Sequence, residues 1–110
     1  MDTLNNFRGE FEVSFKGKQH KALFTMNTLR LITKNEMFEF KDFDKWVSND
    51  PLTSVPLIAY YSIANACIYS GKKFVADKDM FIAEMLDTGQ LEVIADAMAA
   101  AMKSEDKGKK

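Results

Sequence analysis

With 110 residues, of which 46% are hydrophobic and 28% charged, the chain is long enough for one hydrophobic core and too short for two. Its 15 basic and 16 acidic side chains give a formal net charge of −1, so no overall positive field attracts nucleic-acid phosphates or anionic lipids. The single cysteine, Cys67, excludes an intrachain disulfide and favours a reduced, cytoplasmic protein.

A β-hairpin is the first predicted element. Phe11, Val13 and Phe15 alternate with polar residues, which is typical of a strand with one buried face. Gly17 favours a turn, and residues 21–25 form the second short strand. Because two strands alone are marginal in water, their apolar face must pack on helices or pair with another copy of the chain. The hairpin is therefore a first reason to expect self-association.

Two short helices are predicted after the hairpin. Thr25 or Asn27 is a suitable N-cap for a helix over residues 26–33, because either side chain can accept from a free amide of the first turn. Residues 36–40 alternate again, but the run is too short to distinguish a strand from an extended connection. Residues 43–47 place their apolar side chains on one helical face and predict a second, amphipathic helix.

A long apolar helix is predicted over the uncharged stretch 51–71. Ser54 is a suitable N-cap, Pro56 falls in the first turn, and Gly71 lies where a left-handed C-terminal cap belongs. The length is close to that of a membrane span, but polar residues interrupt the stretch, so we expect a helix buried in protein. Asn65 on this helix must then form hydrogen bonds inside the protein or mark an interface.

Two further helices complete the chain. Asp77 precedes a helix over residues 78–87, and Gly89 ends it. Asp87 or Thr88 is expected to cap the last helix. One face of that helix carries an apolar stripe, formed by Leu91, Ile94, Ala95, Met98 and Met102.

The fold predicted from these elements is α+β, with an N-terminal β-hairpin followed by a bundle of four to five helices. No internal repeat or interdomain linker is evident, so residues 1–104 form a single α+β domain. Residues 105–110 have no apolar side chain to bury and are expected to form a disordered charged tail.

The side chains that could carry chemistry lack partners in the sequence. His20 is the only histidine and is expected at the surface, while Cys67 lies inside an uncharged helix and is expected to be an inert thiol. Two carboxylate pairs stand at predicted helix starts, where capping explains them: Asp42 with Asp44, and Asp77 with Asp79. No glycine-rich phosphate loop is present. We therefore predict no catalytic residue, no metal site and no cofactor.

A cluster of methionines in the last two helices suits either of two roles. The flexible thioether adapts to partner surfaces, but it also fills gaps in a protein's own core, and the sequence leaves both roles open. Alanines in the last helix would let a neighbouring helix approach closely. The residues predicted to bind protein are Phe11, Val13, Phe15, Phe81, Met85, Leu91, Ile94, Met98 and Met102.

The order of these features resembles the small tail assembly chaperones of long-tailed bacteriophages and gene transfer agents. The resemblance spans residues 11–102, and its most similar segments are 23–30 (LFTMNTLR), 42–46 (DFDKW), 56–61 (PLIAYY) and 85–91 (MLDTGQL). It implies a strand pair, a short helix and a helical body. It also implies a non-catalytic factor in the host cytoplasm that binds tape-measure protein and delivers tail-tube subunits during virion morphogenesis.

Two other classes of function compete with this one. One is a small helical DNA-binding or protein-binding regulator. To bind DNA it would need a basic recognition helix, and the candidate lysines are sparse: Lys41, Lys45, Lys72 and Lys73. An enzyme would have to use a few unsupported side chains: Asp42, Asp44, Tyr60 and Tyr61. We therefore expect protein partners and a homo-oligomer, without nucleic-acid or membrane binding.

Overall fold

The computed structural model describes residues 9–108, with the side chains of residues 9–100. Its elements in chain order are β1 (Glu10–Phe15), β2 (Lys18–Leu23), α1 (Met26–Glu36), a 3₁₀ turn (Phe40–Asp42), α2 (Phe43–Asn49), α3 (Pro51–Ser70), α4 (Lys78–Asp87) and α5 (Leu91–Gly108). The described chain is thus a two-stranded antiparallel hairpin followed by five α-helices, which confirms the predicted α+β fold.

The hairpin closes through a two-residue loop. Phe15 pairs with Lys18 across the antiparallel ladder, and the intervening Lys16 and Gly17 both have positive φ, of 52° and 76°. Two positive φ angles match the right-handed twist of the strands, and glycine adopts such an angle without a steric penalty. Strand β2 therefore begins at Lys18, three residues before the predicted start at 21, because pairing with β1 recruits its polar first half.

The apolar face of the hairpin is covered by helices of the same chain. Phe11, Val13 and Phe15 are buried, with β1 against α4 and α5 and β2 against α3. The sequence left two ways to cover this face, packing on helices or pairing with another copy, and the chain uses its own helices. The hairpin face therefore does not require a second copy.

Helix α3 is the central element and packs on β2 and on all four other α-helices. It begins at Pro51, and Ser54 lies buried inside it, so the predicted N-cap at Ser54 is wrong. Proline presets the helical φ and lacks the amide that a helix start would leave unpaired, which allows the earlier start. The end is as predicted, because Gly71 has φ of 72° and closes the helix.

By length and composition, α3 could cross a membrane. More than half of its most apolar window is buried inside the protein. The central helix of a soluble domain passes the same test, so length and composition are weak evidence for a span.

The predicted caps are confirmed at α1 and α4 and are wrong at α2 and α5, as at α3. Thr25 caps α1 by accepting from the Asn27 amide, and Asp77 caps α4 by accepting from the Met80 amide at 2.9 Å. Asp42 makes no such bond at α2, because as the last residue of the 3₁₀ turn it has φ of −96° and ψ of 6° and lacks the extended backbone of an N-cap. Neither residue proposed for α5 caps it. Asp87 belongs to α4, and the Thr88 hydroxyl donates to the Glu84 carbonyl.

Helix α5 continues to Gly108, so residues 105–108 are helical where the sequence predicted a disordered tail. That prediction relied on the lack of apolar residues. Helix formation does not need them, since lysine and glutamate have good helix propensity. Lys109, Lys110 and the side chains of residues 101–108 lie outside the described residues.

Candidate protein-binding groove

A cavity of about 740 Å³ lies between α1, the C-terminal half of α3 and residues 71–77. Residues 71–77 join α3 to α4 without regular secondary structure beyond the turn at Gly71, and we call them the strap. We call the cavity the strap groove. Its lining residues are Leu31, Asn35, Tyr60, Tyr61, Ala64, Ile68, Lys72, Lys73, Phe74, Val75, Ala76 and Asp77.

The strap is anchored at Phe74, although it lacks regular structure. The Phe74 ring lies 5.3 Å from the Tyr60 ring, 5.9 Å from that of Phe81 and 6.2 Å from that of Phe15, measured between centroids. Aromatic rings at such separations attract each other beyond their buried area. Next to this cluster, the Tyr60 hydroxyl donates to the Ala76 carbonyl at 2.8 Å. The groove therefore has a fixed outer wall.

The groove exposes aliphatic side chains to solvent. Val75 is 86% exposed and Ile68 is 55% exposed, and both line the same cavity as the partly buried Leu31 and Ala64. A single exposed aliphatic residue needs no explanation, but several in one concavity are typical of a binding site.

The inner wall is fixed by a buried polar network around Asn65, which is fully buried. Its Nδ2 lies 3.0 Å from the Leu23 carbonyl oxygen and 3.0 Å and 3.1 Å from the hydroxyls of Thr25 and Thr28, while its Oδ1 accepts from the side-chain Nδ2 of Asn27 at 2.7 Å. The prediction that Asn65 must find partners is confirmed. Because buried amides are costly to leave unpaired, this network holds α1 against α3.

A second polar cluster joins three helices beside the groove. The Tyr61 hydroxyl donates to Glu36 Oε2 at 2.7 Å, and Lys78 Nζ lies 3.0 Å from the same oxygen and 3.1 Å from the hydroxyl. Burial, followed by the hydrogen bond to Glu36, raises the pKa of Tyr61 to about 12. Hydrogen bonds to Tyr61 and Glu36 raise the pKa of Lys78. Both groups keep their protons at neutral pH, so they suit a structural clamp better than general-base chemistry.

Lysines form one end of the groove. Lys72 and Lys73 follow directly after Gly71 and are both exposed. The ion pairs among the described residues involve other lysines, namely Lys21, Lys41 and Lys78.

The opposite side of the strap carries two smaller cavities, of about 360 and 350 Å³. Both are lined by Lys18, His20, Lys73 and Phe74, and no acidic residue lines either of them among the described residues. This side of the strap is therefore positively charged although the whole chain is nearly neutral.

His20 is half-buried, which corrects its predicted surface position. It lies opposite Val13 on the core-facing side of the hairpin, with its ring centroid 5.4 Å from that of Phe74 and 6.1 Å from that of Phe15. Burial, and then the charge of Lys18, lowers the pKa of His20. The imidazole is therefore neutral at physiological pH and packs as an aromatic ring.

Cys67 lines one of the smaller cavities. Burial raises the pKa of its thiol, and the nearby Lys72 opposes this effect only in part. Since the thiolate is the nucleophilic form, the Cys67 thiol is poorly reactive here.

Most residues predicted to bind protein lie in the core of the chain itself. Those buried are Phe11, Val13, Phe15, Phe81, Met85, Ile94 and Met98. Leu91 is partly buried, and the Met102 side chain lies outside the described residues. The sequence left open whether the methionines fill the core or bind a partner. Met85 and Met98 fill the core.

Sequence reasoning missed the strap. Phe74, Val75 and Ala76 form a short apolar run between two lysines and the capping Asp77. This run was the available signal, because an apolar tripeptide within a loop must pack somewhere or remain exposed.

Among the described residues, no group of three or more His, Cys, Asp or Glu side chains could hold a metal ion. A comparison with protein-family models gives no match, and comparisons with curated proteins and with solved structures give none either.

Proposed function

We propose that the chain is a non-catalytic protein-binding factor that serves as a tail assembly chaperone. Its partners would be segments of tape-measure or tail-tube protein, held in solution until they join the growing virion. The strap groove is the observation that carries this proposal, because Phe74 anchors its wall while Val75 and Ile68 are left exposed. An assembly chaperone needs such a surface to cover apolar segments that are buried later.

The order of elements supports the same proposal. A strand pair, a short helix and a helical body follow one another as the resemblance to tail assembly chaperones implies. The groove walls are helices α1 and α3 and the strap, and such walls suit an amphipathic helix whose apolar residues recur at three- and four-residue steps.

A DNA-binding regulator is the second candidate, and the lysines around the strap favour it. Their placement does not, because Lys72 and Lys73 lie in an irregular segment and not on a helix that could enter the major groove. Lys41, in the 3₁₀ turn, lies 3.7 Å from Glu39 and is partly neutralised.

Coexpression with the tail-tube and tape-measure proteins of the same genome tests the proposal. We expect the chain to copurify with one of them, and Val75→Glu to weaken the complex by about tenfold or more, because the substitution places a carboxylate in an apolar contact. Val93→Glu is the matched control, since Val93 is exposed on α5 outside the groove. Absence of any complex, or equal binding by Val75→Glu and wild type, would refute the proposal.

A further inference from the structure

We infer that the strap groove binds an amphipathic helical segment with an acidic end, whose carboxylates lie against Lys72 and Lys73. This inference rests on the proposed protein-binding function and adds the chemistry of the partner to it. The occupant is a segment of another protein.

The spacing of residues along the groove walls fits the apolar face of a helix. Ala64 and Ile68 are one helical turn apart on α3, and Leu31 and Asn35 are one turn apart on α1. Two such rows form a channel into which a third helix can insert apolar side chains at i and i+4. A volume of about 740 Å³ holds those side chains while the partner's backbone stays above the rim.

The lysines at one end of the groove have no acidic partner in the described part of the chain and fit an acidic end of the bound segment. Lys72 and Lys73 are exposed, and no ion pair engages them among the described residues. Lys18 adds a third positive charge on the far side of the strap. Asp77, the acidic lining residue of the groove, already accepts from the Met80 amide. The lysine end therefore complements carboxylates, and this gives the bound segment a direction.

An acidic peptide fits the groove better than a nucleic acid does. Single strands bind by stacking bases on exposed aromatic rings beside basic residues. Here the Phe74 ring packs on Tyr60 and Phe81 within the protein, and the exposed groove residues Ile68 and Val75 are aliphatic. Such a surface offers burial to leucine-like side chains and no stacking platform.

Synthetic peptides test the inference directly. One peptide of about 15 residues carries leucines at i, i+4 and i+7 and glutamates at one end, and its twin carries lysines in place of the glutamates. Calorimetric titration should show that wild type binds the acidic peptide at least about threefold more tightly than the basic one. The preference should weaken as added salt shortens the Debye length from about 10 Å to about 3 Å.

The double variant Lys72→Glu, Lys73→Glu should reverse the preference between the two peptides. A matched control is Lys41→Glu, Lys45→Glu, which changes the net charge equally but alters residues outside the groove, so it should retain the wild-type preference. Reversal in the Lys72→Glu, Lys73→Glu variant alone would establish that these two lysines bind the acidic end of the peptide.

Four results would overturn the inference, and they differ in what they say of the proposed function. If the double variant binds both peptides like wild type while Val75→Glu abolishes binding, Lys72 and Lys73 do not bind the acidic end, but the groove still binds protein. If Val75→Glu also has no effect, both fail. Tight binding of a single-stranded oligonucleotide without peptide binding would mean that the lysines bind nucleic-acid phosphates and not peptide carboxylates. Light scattering that shows a wild-type dimer, dissociated by the double variant, would make a second copy the occupant.

Discussion

Tyr61 shows how one hydroxyl can connect three helices. It donates to Glu36, the last residue of α1, while Lys78 at the first position of α4 lies within hydrogen-bond distance of both. Charge-assisted hydrogen bonds of this kind are about twice as strong as neutral ones. The cluster therefore ties the inner wall of the groove to the helix that follows the strap.

Tyr61→Phe should reveal this clamp through its dependence on pH. The folded-state pKa of Tyr61 is raised from 10.0 to about 12, and that of Lys78 is raised as well. A raised folded-state pKa gives stability that is complete below the unfolded-state value and is lost as pH rises through the folded one. The stability advantage of wild type over Tyr61→Phe should therefore hold up to about pH 10 and shrink toward about pH 12.

Urea unfolding of both proteins across that pH range measures the difference. Near-ultraviolet absorbance of tyrosinate serves as the control, because Tyr61→Phe should remove the transition near about pH 12. A stability difference that stays constant from about pH 9 to about pH 12 would mean that the raised pKa values contribute nothing to folding.

The strap is held by the Phe74 ring and by the hydrogen bond from the Tyr60 hydroxyl to the Ala76 carbonyl. Phe74 touches aromatic residues from β1, α3 and α4, namely Phe15, Tyr60 and Phe81. Its neighbour Val75 points to solvent. An irregular segment of this kind keeps its place by such side-chain contacts, because it has no ladder of backbone hydrogen bonds to hold it.

Phe74→Ala should release the strap without unfolding the domain. We expect the free energy of unfolding to fall by about 2–3 kcal/mol, less than for a fully buried phenylalanine because Phe74 is half-buried. Amide hydrogen exchange should accelerate across residues 72–77 before it does so in α3. Val75→Ala is the matched control and should stay within about 0.5 kcal/mol of wild type. Unchanged protection of the strap in Phe74→Ala would show that another contact anchors it.

For the whole molecule, local signals in the sequence predicted the elements well. Helix α4 has the predicted bounds, 78–87, because Asp77 and Gly89 mark its ends within the chain segment itself. Asn65 was predictable for a similar reason, since an amide on a helix that is apolar nearly all round must find partners. Which partners it finds, Leu23 and the threonines near α1, depends on how distant elements meet.

The groove could not be predicted by the same means. It exists because an irregular strap is held against α3 by aromatic residues from three elements, and no periodicity in residues 71–77 encodes that contact. For the apolar stripe on α5, the sequence left open whether the chain or a partner buries it. Its period of 3.6 residues identifies a buried face but does not say whether the chain or a partner buries it.

Met98 decides that question for α5. It is 9% exposed and belongs to the same core cluster as Phe11, Phe81 and Met85, so the chain itself buries it. Met98→Glu should therefore cost about 3–5 kcal/mol, because an unpaired carboxylate would lose its water, and the melting temperature should fall sharply. Val93→Glu, on the same helix but 62% exposed, should melt like wild type. Circular dichroism measures the melting temperature, and light scattering measures the molecular mass in solution.

A different result would make the α5 stripe an interface between copies of the chain: Met98→Glu would keep the wild-type melting temperature, and it would be a monomer where wild type is an oligomer. The groove would then be the second binding surface of an oligomer.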